Sequence, residues 1–301
     1  MSQTPPKRCG HIALVGRPNA GKSTLLNQLI GEKVSIVSDK PQTTRHRILG
    51  MIHDEEKQLI FVDTPGIHRP GFRLNERMME VVHGALREVD VVIHMVDASE
   101  KFGKGEAFAL DLVNAFQGPV ILALNKVDLI SKGRLLPMIE SYNGLGKYAA
   151  IIPISAAKKD GVQILIDQAA ALLPEREFLF PVDQHTDQLE RTLVSEIIRE
   201  KVLANTRQEL PYATAVQIEE FDESDREQGF VRIGASIIVE RPGQKKIVIG
   251  RGGKMVKTIG TAARKEIEKL LQVRRVYLAL NVKVTPDWRN RDHLLNELGI
   301  H

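Results

Sequence analysis

The 301-residue sequence predicts a mostly parallel α/β domain flanked by helices, followed by a smaller α+β domain. Apolar strand-like runs alternate with helical patterns over residues 11–173, which is typical of α/β folds. From residue 189 the predicted order becomes helix, strand, strand, helix, helix, strand. The length also exceeds what a single hydrophobic core usually serves. We predict a first domain at residues 8–175, a linker at 176–190, a second domain at 191–285 and a tail at 286–301.

The elements of the first domain follow from its apolar runs. Strands are expected at residues 11–15, 45–53, 58–62, 91–96, 120–124 and 150–154, and helices at 24–30, 76–88, 106–116, 134–142 and 162–173. The second and third strands flank a polar turn, so they predict an antiparallel hairpin at the edge of a parallel sheet. Residues 34–41 are predicted to form a loop, and Pro174 ends the last helix.

The second domain has a different order of elements. Helices are expected at 189–203, 246–249 and 254–271, and strands at 212–219, 229–240 and 276–284. Leu189 is the first apolar residue on the predicted inner face of the first of these helices. In the tail, we expect Trp288 to pack against the second domain, and residues 293–295 to form a short helix.

Charge and cysteine content describe an ordinary soluble protein with one unusual segment. The net charge is +4, yet residues 241–275 hold eleven Lys/Arg against two acidic residues, a net +9 that leaves −5 elsewhere. Such a block indicates a surface for a polyanion, either nucleic acid or anionic lipid. The single cysteine, Cys9, predicts a reducing cytosol, and we expect it to be inert, partly buried and ahead of the first strand. The N-terminal residues lack an apolar leader segment, so a cytoplasmic location is expected.

A P-loop octet follows the first strand and precedes a helix. It reads Gly16-Arg17-Pro18-Asn19-Ala20-Gly21-Lys22-Ser23, with Thr24 next. Its backbone N–H groups and helix N-terminus suit phosphate, Lys22 can reach the β/γ oxygens, and the Ser23 hydroxyl is a Mg²⁺ ligand. A glycine turn that binds nothing is the alternative, which the later motifs disfavour.

Asp63-Thr64-Pro65-Gly66 follows the third strand and predicts the second phosphate motif. The Asp63 carboxylate can hold a Mg²⁺-bound water, and the Gly66 N–H can sense a γ-phosphate. Between these motifs, a loop threonine can complete the Mg²⁺ shell and release it after hydrolysis. We choose Thr44 over Thr43 for this role, against the alternative that both only begin a strand.

Asn125-Lys126-Val127-Asp128 after the fifth strand predicts the base. The Asp128 carboxylate can accept guanine N1–H and N2–H₂, a donor pair that adenine lacks, and leaving it unpaired is costly. At the end of the last strand, Ser155 and Ala156 are expected to offer a backbone N–H to guanine O6. The nucleotide is therefore predicted to be GTP or GDP.

Together these motifs resemble the translation-factor-class GTPases, and among them the Era family. The resemblance assigns Gly16 to Ser23 to the phosphates, Thr44 to the switch, Asp63 and Gly66 to Mg²⁺ and γ-phosphate, and Asn125, Lys126 and Asp128 to the base. Ile67 stands where Ras-like enzymes carry the glutamine that orients water, so intrinsic turnover is expected to be slow. Related GTPases with an asparagine in this P-loop suggest that Asn19 helps bind K⁺, which we hold as a hypothesis.

Within the +9 segment, the second domain carries a G-x-x-G motif, and it resembles a bacterial-type (type II) KH RNA-binding domain. The predicted RNA-binding residues lie in and beside this motif: Ile249, Gly250, Arg251, Gly252, Gly253, Lys254, Val256 and Lys257. Glycines let the sugar–phosphate backbone approach, cations and helix amides take phosphates, and Ile249 and Val256 floor a groove for single-stranded RNA.

The predicted function is a slow GTPase switch that binds single-stranded RNA. Resemblance to the Era family implies the 3′ region of 16S ribosomal RNA, the small ribosomal subunit and its assembly, with a monomeric protein. Two alternatives stay open: a membrane-surface GTPase whose basic segment contacts anionic lipid, and an RNA-binding module whose nucleotide site is purely structural. A peripheral contact with the inner membrane is compatible with RNA binding.

Overall fold

The computed structural model describes residues 7–40, 42–67, 71–206 and 210–300, without the side chains of residues 211 and 212. Pro41 of the predicted loop and His301 of the predicted tail lie outside the described residues. The chain divides into two compact units, the first formed mainly by residues up to Asp187 and the second mainly from Gln188 onward. Among the described residues, no helix is long and apolar enough to cross a bilayer.

The first unit is built on a six-stranded sheet in the order β2-β3-β1-β4-β5-β6. Its strands are β1 Arg8–Val15, β2 Ile48–His53, β3 Lys57–Asp63, β4 Val91–Asp97, β5 Val120–Asn125 and β6 Ala150–Pro153. Only the β2–β3 pair is antiparallel, and β2 is an edge strand, so the predicted hairpin is confirmed. The central strands are buried along almost their whole length, as expected when helices cover both faces.

Five helices cover this sheet: α1 Lys22–Ile30, α2 Arg73–Glu88, α3 Lys104–Asn114, α4 Leu135–Asn143 and α5 Val162–Ala171. Leu25 of α1 and Leu165 of α5 join one core cluster, and Val82 of α2 and Val113 of α3 join another. Because the carboxyl ends of β1, β3, β4 and β5 meet at one edge, the loops that follow them lie together.

Residues of the predicted linker are bonded to the first unit. The Arg176 Nε donates to Cys9 O at 2.8 Å, the Thr186 hydroxyl donates to Leu49 O at 2.8 Å, and Met51 N donates to His185 O at 2.8 Å. The last two bonds occupy part of the open side of β2, which protects an edge strand. Cys9 lies within β1 and is fully buried, so the expectation of a partly buried residue ahead of the strand was wrong.

The second unit packs helices on a three-stranded sheet in the order β7-β8-β9. Its elements are α6 Glu190–Asn205, β7 Ala215–Asp222, β8 Phe230–Val239, α7 Pro242–Ile249, α8 Lys254–Leu270, β9 Arg275–Val284 and α9 Asp292–Glu297. β7 and β8 are antiparallel, whereas β8 and β9 are parallel. Side chains of α6, α8 and all three strands share one core cluster. The predicted fold class is confirmed in both units.

Two local predictions in the second unit were wrong. Residues 210–213 form a 3₁₀ turn, and β7 begins at Ala215, three residues after the predicted start. A proline at position 211, one residue before the predicted strand, fits the first turn of a helix. Leu189 precedes α6 and is 73% exposed instead of joining the core. Trp288, by contrast, is fully buried and its Nε1 donates to Ala213 O at 3.0 Å, as predicted.

Candidate nucleotide and nucleic-acid sites

The phosphate loop between β1 and α1 is fixed by close backbone contacts. A Cβ at Gly16 would lie 2.2 Å from Met95 O, and one at Gly21 would lie 2.2 Å from the Asn125 Nδ2. Gly21 also has φ 98°, a left-handed conformation that favours glycine, and Asn19 is left-handed at φ 64°. The loop therefore needs glycine at both ends for its curvature.

Lys22 lies inside this loop and is 5% exposed. Its Nζ donates to Gly16 O and Arg17 O at 3.0 Å each, which holds the ammonium group within the curve of the loop. Burial lowers the pKa of Lys22 to about 8, while the carboxylates of Asp63 and Glu106 act in the opposite direction. The lysine is therefore a buried cation that a phosphate can neutralise.

Three predicted metal-site residues from separate segments meet beside Lys22. The Ser23 Oγ donates to Asp63 Oδ2 at 2.7 Å and lies 2.9 Å from the Thr44 Oγ1. The structure thus brings Thr44 to this cluster, in keeping with the choice of Thr44. The other carboxylate oxygen, Asp63 Oδ1, is buried without a hydrogen-bond partner among the described residues.

This cluster fits Mg²⁺. Hydroxyl and carboxylate oxygens are the hard donors that Mg²⁺ takes, and the unpartnered Asp63 Oδ1 offers a further contact for a Mg²⁺-bound water. Burial raises the pKa of Asp63, although Lys22 and hydroxyl hydrogen bonds oppose that shift. A bound divalent cation would keep the carboxylate ionised.

Ser35, which was not predicted from the sequence, also belongs to this cluster. Its hydroxyl donates to Asp63 Oδ2 at 3.1 Å and the residue is 2% exposed. Asn27 of α1 holds the segment in place, because its Oδ1 accepts from Val34 N at 3.0 Å and Ser35 N at 2.9 Å. A serine within a predicted loop gives no pattern from which this role could be found.

The turn after β3 packs directly on the phosphate loop. A Cβ at Gly66 would lie 2.8 Å from the Pro18 Cα, so only glycine fits there. Ile67 N donates to Gly16 O at 3.1 Å, and the Thr64 hydroxyl donates to Leu14 O at 2.8 Å. Ile67 is 1% exposed, so its side chain packs in the core.

Two residues of the base motif have different roles. We call Asn125 the strut, because it links two loops, and Asp128 the reader, because it is predicted to contact guanine. Asn125 is 2% exposed; its Nδ2 donates to Ala20 O at 2.8 Å, and its Oδ1 accepts from Ala156 N at 2.9 Å. Asn125 therefore ties the phosphate loop to the loop after β6. The Ser155 hydroxyl, bonded to Asp128, lowers the pKa of that carboxyl, and Lys158 Nζ lies 3.5 Å away. Asp128 is thus held as a carboxylate for the guanine edge.

The contact of guanine O6 with a backbone N–H of Ser155 or Ala156 stays a prediction, and it would share or replace bonds that these groups form within the protein. Ser155 N donates to Asp160 O at 2.9 Å and Ala156 N donates to the Asn125 side chain, so both backbone donors are engaged within the protein. Lys126 has a left-handed backbone at φ 64°, and its Nζ is paired with Asp97 at the end of β4. The role of Asp97 could not be read from sequence, because β4 and β5 meet only in the sheet.

In the second unit, the G-x-x-G segment forms a tight turn between α7 and α8. Gly250, Gly252 and Gly253 have φ of 72°, 59° and 74°. A Cβ at Gly250 would lie 2.7 Å from the Met255 Cβ, whereas no atom lies within 4 Å of one at Gly252 or Gly253. Gly250 is therefore required by packing, and the other two present bare backbone to solvent, as a nucleic-acid backbone needs.

The predicted groove residues surround this turn. Arg251, Lys254 and Lys257 are exposed, and Ile249 and Val256 are half-buried, as a groove floor requires. Leu280 of β9 adds to the same side of α8, because a Cβ at Gly260 would lie 3.3 Å from its Cδ1. This contact between α8 and the edge strand was not predicted.

Comparison with known proteins matches both domains. The family model described as 50S ribosome-binding GTPase matches residues 11–126, and the KH domain model matches residues 209–289. The chain is 48% identical to GTPase Era of Geobacter metallireducens, over 98% of each chain. It belongs to the Era family of GTPases. GTPase Era of Ruminiclostridium cellulolyticum is 46% identical over 97% of each chain.

Solved structures of Era also superpose over nearly the whole chain. A crystal structure of an Aquifex aeolicus Era variant bound to GDP and AlF₄⁻ matches with TM-score 0.92 at 40% identity, covering 97% of this chain and 99% of that one. An Era complex with MgGDPNP and nucleotides 1506–1542 of 16S ribosomal RNA matches with TM-score 0.92 at 40% identity, covering 98% and 99%. As an Era-family protein, the chain binds GTP and hydrolyses it to GDP and phosphate.

Proposed function

We propose that this GTPase binds single-stranded RNA at the 3′ region of 16S ribosomal RNA and acts in assembly of the small ribosomal subunit. The observation that carries the proposal is the bare G-x-x-G turn inside the +9 segment, with two glycines open to solvent and exposed cations beside them. The Era relative crystallised with nucleotides 1506–1542 of 16S ribosomal RNA names the RNA.

We propose Mg²⁺ as the cofactor, held through Ser23, Thr44 and Asp63. When bound, Mg²⁺ neutralises charge that develops on the β/γ-phosphate oxygens. Lys22 supplies the buried positive charge on the same oxygens, and the Gly66 N–H contacts the γ-phosphate. Ile67 is buried and apolar, so this side chain cannot align the attacking water and turnover is slow.

A K⁺ ion beside Asn19 is the second proposed cofactor. Asn19 is exposed and held in a left-handed conformation on the phosphate loop, and its amide oxygen is the proposed ligand for a cation next to the phosphates. A monovalent cation there would add positive charge to that of Lys22 at the phosphates. Equal GTPase rates in matched Na⁺ and K⁺ buffers would contradict this assignment.

We further propose that the protein is a cytoplasmic monomer. Its one cysteine is buried and free, which suits a reducing compartment. A peripheral contact with the inner membrane is an additional proposal that rests on the same basic segment. Flotation of the purified protein with vesicles that contain anionic lipid, with and without RNA, tests whether lipid and RNA compete for it.

Fluorescence anisotropy with a labelled oligonucleotide from the 3′ end of 16S ribosomal RNA tests the RNA proposal. Wild type with a non-hydrolysable GTP analogue is expected to bind it more tightly than a scrambled sequence. Gly253→Asp is expected to lose RNA binding and keep GTP binding, because its carboxylate repels phosphates and no atom crowds it. Undiminished RNA affinity in Gly253→Asp would refute the groove.

A further inference from the structure

Helix α8 carries a row of lysines that extends beyond the predicted residues of the G-x-x-G groove. Its exposed lysines are Lys254, Lys257, Lys265 and Lys269. At 3.6 residues per turn they fall within an arc of about 120°, opposite the buried Ile259, Ala263 and Ile267. At 1.5 Å per residue the row runs about 22 Å from the turn. We call these four residues the lysine stripe.

Acidic residues of α8 compensate the lysine stripe only in part. The Glu266 carboxylate is paired with Lys201 of α6, and Glu268 Oε1 accepts from Val276 N at 3.1 Å. Within the described part of the chain, no carboxylate forms an ion pair with any lysine of the stripe. The stripe is therefore a net positive surface.

Helix stability does not account for this arrangement. Lys254 and Lys257 lie in the first turn, where the helix dipole disfavours cations and no acidic residue offsets them. Lys265 and Lys269 are four residues apart, a spacing at which like charges repel. Lys269, in the last turn, is favoured by the dipole, but the two lysines of the first turn are not, and a polyanion that the stripe binds better explains their presence.

We propose that the lysine stripe is a second RNA contact, which takes the phosphates of nucleotides that leave the G-x-x-G groove. The inference rests on the proposed RNA function and extends it from the groove to the full length of α8. The stripe begins at the groove, because Lys254 is the first residue of α8 and directly follows the G-x-x-G turn. Lysines without stacking or base-reading partners make a sequence-independent contact that positions the strand.

Lys265→Gln/Lys269→Gln is the test, with RNA probes of six and twelve nucleotides. A KH groove clamps about four nucleotides, so the six-nucleotide probe ends near the turn, whereas eight further stacked nucleotides reach about 27 Å at 3.4 Å each. Twelve-nucleotide probes extended on the 5′ or on the 3′ side identify the polarity. Lys132→Gln/Lys147→Gln, which removes two exposed lysines of the first unit, is the matched control.

For one of the extended probes, the double variant is expected to lower the salt slope by about 1.4, at roughly 0.7 per lost phosphate contact. At 0.1 M salt that corresponds to an affinity about 25-fold lower. The affinity of the double variant for the six-nucleotide probe is expected to equal that of wild type. The control variant is expected to bind all probes with wild-type affinity. The double variant should fold, because it relieves a like-charge pair; its thermal unfolding is measured in parallel.

Two results would overturn the inference. Wild-type affinity of the double variant for both extended probes shows that the stripe does not contact RNA. Loss of binding to vesicles of phosphatidylglycerol and phosphatidylcholine, with RNA affinity unchanged, assigns the stripe to a membrane instead. If wild type fails to bind even the six-nucleotide probe, the proposed RNA function fails, and the inference with it.

Discussion

Asn125→Ala tests whether Asn125 stabilises the fold as a strut or only contacts the base. The substitution removes two buried hydrogen bonds, to Ala20 O at 2.8 Å and from Ala156 N at 2.9 Å. Both backbone groups would be left buried without a partner, and each such loss costs about 1–3 kcal/mol. We therefore expect the free energy of unfolding to fall by roughly 2–6 kcal/mol, with guanine nucleotide affinity falling because the two loops lose their link.

Urea unfolding and nucleotide titration of the same preparations measure both effects. Asn143→Ala, at an exposed position that ends α4, is the matched control and should stay within about 0.5 kcal/mol of wild type. Asp128→Asn should keep its stability and shift preference from guanine to xanthine nucleotides, since it alters only the reader. If Asn125→Ala kept wild-type stability and lost only guanine discrimination, the strut assignment would be wrong.

Further predictions concern Lys22 and the glycines of the second unit. Burial lowers the pKa of Lys22 to about 8 from 10.5. Between pH 8 and 10.5 the unfolded chain therefore binds more protons than the folded protein, so the free energy of unfolding of the nucleotide-free protein rises with pH in this range. The affinity for nucleotide should instead fall above pH 8, because the Lys22 ammonium loses its proton. Lys22→Gln should bind nucleotide weakly at every pH and show no such fall. Calorimetric titrations across pH measure both affinities. Gly250→Ala should destabilise more than Gly252→Ala in thermal unfolding, for two reasons. Only the former meets Met255, at 2.7 Å. Gly250 also has φ 72° and ψ 172°, a conformation that essentially only glycine adopts, whereas Gly252 has the left-handed conformation, which costs another residue about 1–2 kcal/mol. Equal losses of stability would contradict both reasons.

Much of the fold could be predicted because its signals are local. The order of strands and helices in the first unit follows from apolar periodicity, and element ends differ by a few residues. The larger errors fall where tertiary context overrides the pattern. The strand predicted to begin at residue 45 begins at Ile48, and the segment before it places the Thr44 hydroxyl beside Ser23. Leu189 fits the helical spacing but lies before the helix.

The sequence by itself determined the chemistry of the protein. The residue types of Gly16 to Ser23, Asp63 to Gly66 and Asn125 to Asp128, and their order along the chain, predicted phosphates and guanine. Gly250 to Gly253, within the +9 segment, favoured RNA over lipid. Only the tertiary structure decided which side chains hold these segments in place. Ser35 reaches Asp63, Asp97 pairs with Lys126, and Asn125 joins two loops, because sheet order brings together residues that lie far apart in sequence. A contact between distant residues depends on packing of the whole domain, and no local pattern records it.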